Sequence, residues 1–249
     1  MIASLPMYAT PLTAEADKRF WALIRDHLRQ MGIAAPDGLT RMPADLLGHW
    51  RDPHLLLSQT CGLPYRAVLK EHVTYVGTPD YALNDCPPGH YRSVVIARAD
   101  DTRQTLADFR TARLAYNEPL SQSGWAALAL ETPEVLQGPR HRTGSHLNSV
   151  RAVRENRADF AAVDAVTWRH LVEAGQDAGL HVVHTTRPTP GLPLITAKDG
   201  PAPALLAAVS EAIDRLETED RARLHLRGIV AFPPSAYDLP IPPSPAALD

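Results

Sequence analysis

The sequence has no run of about 18 apolar residues, so nothing in it reads as a membrane span. It holds only 2 cysteines, Cys61 and Cys86. That excludes a disulfide framework and a zinc-type cluster, and leaves room for one bridge at most. Neither sign of charge dominates: 25 Lys and Arg stand against 28 Asp and Glu, a net of −3. The basic residues are scattered and form no stripe of the kind that tracks nucleic acid, so no nucleic acid is expected as partner. A G-x-S-x-G elbow, a Walker loop, zinc spacing and a dinucleotide fingerprint are all missing. No repeat is visible. The first residues, Met1 to Tyr8, show no basic stretch, no long apolar stretch and no cleavage site. Two expectations follow: a cytoplasmic chain, or one read without its leader.

What the sequence does have is a globular balance, with 45% hydrophobic and 21% charged residues. At 249 residues it is one large domain or two modest ones, able to bury a full core without staples. Proline is abundant, 23 residues in all, well above the usual ~5%. Many prolines separate short apolar runs, as many loops joining short elements would require.

Strand-like and helix-like segments alternate from end to end. Phe20, Leu23, Ile24, Leu28 and Met31 fall at helical spacing, with Thr13 placed to cap and Gly32 to stop. His54–Ser58, Val73–Val76, Tyr91–Ala97, Ala112–Tyr116, Phe160–Val163, His181–Val183 and Leu194–Thr196 read as strands. Ser123–Glu131, His146–Glu155, Thr167–Ala178 and Ala204–Leu216 read as helices; a weak one covers 67–69, and a last one near Arg221–Leu226 precedes a proline-rich tail. Such alternation argues for parallel α/β sheets. The pattern fits two lobes, the first discontinuous (1–96 plus 189–249) and the second inserted (97–188).

Four segments could carry chemistry. Asn117–Trp125 lies between a strand and a helix, where Ser121 and Ser123 can cap and the free amides of the first turn favour an anion. The plainer reading is an ordinary capped helix. Thr143-Gly144-Ser145-His146 repeats the arrangement, with Ser145 at the cap and His146 in the first turn; the plainer reading is a partly exposed histidine among 11. Asp164 ends an apolar strand, the place where open α/β sheets contact ligands, or else it caps the next helix. Cys61, in Ser58-Gln59-Thr60-Cys61-Gly62, is placed like a nucleophile, but no base is identifiable, and a structural or bridged cysteine is the plainer reading. Cys61 and Cys86 follow two strands of the first lobe and would form a bridge in an oxidising compartment.

Taken in order, SLPMY (4–8), Trp21, SQTCGLP (58–64), VGTPDYA (76–82), CPPGHYRSVV (86–95), NEPLSQSG (117–124), GSHLNSV (144–150) and ADFAAVDAVTW (158–168) resemble the substrate-binding proteins of ABC importers for phosphate, phosphite and phosphonates. The resemblance implies an α/β, two-lobed periplasmic-binding-protein-like fold of type II, with a ligand cleft between the lobes. It implies a non-enzymatic binding protein for a small phosphate- or phosphonate-like anion, with no cofactor and no metal. It also implies a monomer, an ABC permease as partner, and a periplasmic location. Carried over, Ser121, Gln122, Ser123 and Gly124 hold the anion's oxygens. His146 and Asp164 match a histidine and an acidic ligand contact, and Tyr81 an aromatic one. Tyr8, Gln59 and Thr60 lie where the first lobe's sheet edge faces the ligand. Asp164 suits a ligand that brings a proton, as P–OH or ammonium, because two acceptors meeting unpaired are unfavourable. The rival readings are an enzyme on the same fold, thiol-dependent through Cys61 or of the pyrimidine-precursor type, and a cytoplasmic ligand sensor.

Overall fold

Leucines fill Leu55–Leu57, and the strand they begin, Leu55–Gln59, is buried along its whole length. That is the mark of a central strand covered on both faces. The computed structural model describes residues 1–41 and 43–248. It divides the chain into two α/β units: Met1–His90 with Pro190–Leu239, and Tyr91–Thr189 with the residues from Pro240 onward.

The first unit's sheet runs in the order Ile2–Ser4, Leu55–Gln59, Leu194–Ala197, Val73–Asp80, Gly228–Val230. Ile2–Ser4 and Leu55–Gln59 pair parallel. Leu194–Ala197 is antiparallel to both its neighbours, and Gly228–Val230 is antiparallel to Val73–Asp80. Helix Ala14–Gln30 buries Phe20, Trp21, Ile24 and Leu28. They pack with Leu205, Val209 and Ile213 of helix Ala202–Arg215 and with Leu57 and Val76 of the sheet. Each such side chain removed from water contributes about 1.5–3 kcal/mol against the entropy of ordering it. A second cluster joins Trp50, Leu55, Tyr65, Leu69, Ile195 and Tyr237.

The second unit's sheet runs Arg140–Arg142, Leu114–Tyr116, Phe160–Asp164, Ser93–Arg98, Leu180–Thr185. Leu114–Tyr116 is parallel to both its neighbours. Ser93–Arg98 is antiparallel to both of its own. Phe109, Trp125, Leu128 and Phe160 form the centre of its core.

Four expectations change. The sheets are mixed, not parallel, because Ser93–Arg98 and Leu194–Ala197 each enter a sheet without a crossover helix before them. The boundary expected at 96/97 lies at 90/91, since residues 93–98 make the ladder of the second unit. The last residues are divided as well. Residues 228–237 are fastened to the first unit, while the segment from Pro240 belongs to the second, where Trp125 Nε1 donates to the Pro243 carbonyl at 2.9 Å. The weak helix at 67–69 is part of a π-helical turn, Tyr65–Leu69.

Residues 228–237 are held by hydroxyls as well as by their strand. Tyr75 OH donates to the Val230 carbonyl (3.1 Å) and accepts from Phe232 N–H (3.1 Å). Thr78 Oγ1 hydrogen-bonds both Tyr75 OH (2.9 Å) and Tyr237 OH (2.7 Å), and Tyr237 OH donates to the Gly191 carbonyl (2.8 Å). Burial pushes the Tyr237 phenol well above its ordinary pKa, with only partial relief from Thr78. Tyr237→Phe keeps the packing, takes the hydroxyl from the Gly191 carbonyl and leaves Thr78 with Tyr75 alone. It should destabilise the protein by about 1–3 kcal/mol, read as a lower urea midpoint; an unchanged midpoint would remove the hydroxyl chain from the account.

Candidate functional site

Leu114–Tyr116, Arg140–Arg142 and Phe160–Asp164 run the same way, so their carboxyl ends share one edge of the second unit's sheet. The chain leaves them at Asn117, Thr143 and Asp164. The Thr143 and Gly144 amides donate to the Tyr116 and Asn117 carbonyls, each at 2.9 Å, which holds the second departing loop against the first. Gly144 turns the chain at φ +83°, where a side chain would be strained. Ser145 Oγ then caps helix His146–Arg154 by accepting from Asn148 N–H at 3.1 Å. His146 is thereby set in the first turn beside the Asn117 loop.

That loop ends in a second cap. Ser121 Oγ accepts from Gly124 N–H at 2.9 Å, and Gln122–Ala126 winds as a π-helix before helix Ala127–Glu131. The wide turn is closed by Ala126 N–H on the Ser121 carbonyl at 3.0 Å. π-turns of this kind recur at functional sites. A Cβ on Gly124 would stand 1.9 Å from Asn117 Oδ1, so a glycine is what lets the asparagine lie across the turn. His146 Nε2 and Ser123 Oγ share a hydrogen bond of 2.8 Å, with Asn117 Nδ2 at 3.4 Å from the same nitrogen. Ser93 Oγ donates to the Ser123 carbonyl at 2.9 Å.

Burial pushes the His146 imidazole down to about 4, with the Ala162 backbone pulling the other way. The ring is therefore uncharged at neutral pH. The cluster offers hydroxyls, amides and a neutral imidazole, and brings no full positive charge of its own.

Of the ten residues singled out from sequence, the second unit gathers Ser121, Gln122, Ser123, Gly124 and His146. Asp164 lies at the same sheet edge, its Cα paired with that of Ser93. Asp164 Oδ1 accepts from the Val166 and Thr167 amides at 2.8 and 3.0 Å. The capping role is thus filled by one carboxylate oxygen. Sequence reasoning missed Asn117 and Ser93. Asn117 had a signal, since it follows its strand directly, as Asp164 ends its own.

In the first unit, Gln59 Nε2 donates to Tyr81 OH at 2.9 Å and lies 3.3 Å from the Leu192 carbonyl. The Tyr8 ring meets Tyr81 edge-on with centroids 4.8 Å apart. Thr13 makes no side-chain cap of helix Ala14–Gln30. Its Oγ1 instead accepts from Thr10 N–H (2.9 Å) and donates to the Tyr8 carbonyl (3.2 Å), closing the loop that carries Tyr8. Thr60 donates its amide to the Pro193 carbonyl at 3.0 Å, and its buried Oγ1 has no hydrogen-bond partner. Cys61 and Cys86 are not joined by a disulfide, so the expected bridge is absent. A cavity of about 810 Å³ in this unit lies between helix Ala14–Gln30 and the loops containing Pro6 and Leu39, and none of the ten residues lines it.

Two α/β units, each on a mixed five-stranded sheet with polar side chains at its carboxyl edge, make this a protein of the type II periplasmic-binding-protein class. The sequence matches, over residues 61–238, the family described as ABC transporter, phosphonate, periplasmic substrate-binding protein, and the chain belongs to it. No curated protein matches it in sequence. Solved structures share the fold. XAC2383 from Xanthomonas citri, bound to ATP, has a TM-score of 0.70 at 15% identity, covering 99% of this chain and 94% of that one. PhnD1 from Prochlorococcus marinus in complex with methylphosphonate has a TM-score of 0.69 at 12% identity, covering 95% and 94%. A binding protein component of an ABC phosphonate transporter from Pseudomonas aeruginosa has a TM-score of 0.69 at 16% identity, covering 95% and 82%. Among the described residues no helix is long and apolar enough to cross a membrane.

Two outcomes are expected from this geometry. Gly124→Ala forces Asn117 and the Ser121 cap aside; crystallography of the variant should show Asn117 moved off His146, and an unmoved Asn117 would refute the close approach. The second concerns pH. His146 has a folded pKa of about 4 against an ordinary 6.5, so between these values the unfolded chain takes up a proton that the folded chain refuses. Its contribution to stability is complete above the upper value and is lost as pH falls toward the lower. Asp17, raised to about 6 by burial against the Thr13 hydrogen bond, works in the opposite direction over part of that window. The comparison that isolates the imidazole is wild type against His146→Gln: the gap between their melting temperatures should narrow as pH is lowered through this range. A constant gap would show that the ring titrates normally.

Proposed function

We propose that this chain binds a small phosphonate- or phosphate-like anion for an ABC importer, in the periplasm, delivers it to a permease, and performs no chemistry on it. The observation that carries this reading is the Ser123–His146 hydrogen bond beside the Ser121-capped π-turn. A phosphoryl group taken out of water needs several donors. The Ser121 hydroxyl already accepts from Gly124 and keeps its own proton to give. The turn's amides and the Ser123–His146 pair, which has one shared proton to turn toward a ligand oxygen, complete the set, and the dipole of the helical run Gln122–Glu131 adds to it. Asn117 and Ser93 hold this arrangement in place. Tyr8, Gln59, Thr60 and Tyr81 are the ligand contacts proposed for the first unit.

A serine oxygen 2.8 Å from a histidine nitrogen also resembles a nucleophile with its base. A base held near pH 4 is poorly matched to proton abstraction at neutral pH, which favours binding over hydrolysis.

Asp164 is proposed to accept a proton from the ligand with the carboxylate while its Oδ1 caps the helix. Asp164→Asn keeps an oxygen for the cap and removes the charge. Calorimetry of wild type, Ser123→Ala and Asp164→Asn against methylphosphonate, phosphate and sulfate tests the whole reading. Ser123→Ala should weaken every anion about tenfold to a hundredfold. Asp164→Asn should weaken the protonated phosphoryl ligands and favour sulfate relative to them. The phosphorus spectrum of bound methylphosphonate should not change with time. No binding by any of the three anions would sink the proposal, and a uniform loss in Asp164→Asn would reduce Asp164 to a cap.

A further inference from the structure

Among the described residues, Ala82, Asp85, Asn156, Asp199 and His225 take a positive φ without being glycine. Asp, Asn and His are the types that visit this region most often after glycine. Ala82, at φ +49°, is not one of them, and it terminates no helix. It follows directly on Tyr81. A turn that served only the fold would be better made with glycine, which takes this φ without strain. Strain of this kind persists only where the surroundings over-determine it, and it gathers at ligand-binding segments.

The surroundings here are Asp80 and Arg227. Asp80 ends the strand Val73–Asp80 and is only 5% exposed. Its Oδ1 accepts from the Ala82 amide at 3.0 Å, which folds the chain back around Tyr81. Its Oδ2 accepts from Arg227 Nε at 2.8 Å. The Arg227 amide donates to the Asp80 carbonyl, also at 2.8 Å, where Gly228–Val230 begins its ladder with residues 78–80. The carboxylate is thus fixed from a second strand, and the fixed carboxylate bends the chain at Ala82. The ring set by this turn is met by two others: Gln59 Nε2 donates to its hydroxyl at 2.9 Å, and the Tyr8 ring meets it edge-on at 4.8 Å.

We propose, on the reading of Tyr81 as a ligand contact, that Asp80 and Arg227 are positioning residues that hold Tyr81 in its binding orientation, through the strained turn at Ala82, before a ligand arrives. A side chain ordered in advance loses less freedom on binding, and that loss is part of the cost of association.

Ala82→Gly separates positioning from stability, because the two should move in opposite directions. The melting temperature should rise by about 2–4 °C as the strain is relieved, while calorimetry shows methylphosphonate bound about threefold to tenfold more weakly. Arg227→Gln, at a side chain 55% exposed, should weaken binding without the gain in stability. Asp80→Asn keeps an oxygen for the Ala82 amide and should retain more affinity than Asp80→Ala, which keeps none. In a Tyr81→Ala background, Ala82→Gly should leave affinity unchanged. A second measurement uses no ligand: nuclear Overhauser contacts between the Tyr8 and Tyr81 rings should weaken in Ala82→Gly and in Arg227→Gln. Ring contacts as strong as in wild type, or a loss of affinity that persists in the Tyr81→Ala background, would overturn the positioning role and leave Tyr81 as a ligand contact. Methylphosphonate bound by Tyr81→Ala as tightly as by wild type would overturn the reading of Tyr81 as a contact, and the proposal with it, whatever the ring contacts show.

Discussion

Parallel pairing of Leu114–Tyr116 with both its neighbours is the constraint on which the second unit's site rests. It brings three strand ends to one edge, so that three loops leave side by side. The amides of Thr143 and Gly144 then lock the second loop onto the first. Only with that lock does the cap at Ser145 deliver His146 to Ser123. A slip of one residue in the register would turn each of these side chains to the other face.

The two ends of this sheet are chemically unlike. At the amino ends of Leu114–Tyr116 and Phe160–Asp164, Arg113 forks onto Asp159, Nε and Nη2 reaching its two oxygens at 3.1 and 2.9 Å. Burial works to raise the Asp159 carboxyl, but hydrogen bonds and charge from Arg113, with Arg103 behind it, outweigh that and hold it at about 2. At the carboxyl ends the donors are hydroxyls, amides and an uncharged imidazole. Full charges fasten the amino end; around Ser123 the carboxyl end presents dipoles, with the Asp164 carboxylate capping the next helix beside them and Arg142 paired to Glu118 at 2.6 Å.

Much of this was legible locally. Ser145 and Asp164 act through residues two or three positions away, and the sequence offered both as caps. The roles of Asn117 and Ser93 depend on partners 29 and 30 residues distant, which no spacing rule reaches. The helix read at 123–131 is real, but its first turn is π-wound, because a hydrogen bond one residue longer leaves the apolar periodicity almost unchanged. Gly228–Val230 escaped notice for a different reason: its three residues are only half-buried and carry too short a pattern to stand out after a helix. The mixed direction of the sheets was hidden too, since a strand's apolar run does not say which way it is entered.

The indole of Trp125 sits inside the π-turn that caps the site, and its N–H is held by the Pro243 carbonyl. The segment after Pro240 is therefore a buttress for that turn. A protease cut there, or a fusion partner attached there, would act on the proposed anion site through this turn while leaving both sheets intact. Engineering of this scaffold as a sensor would do better to place its reporter on another loop.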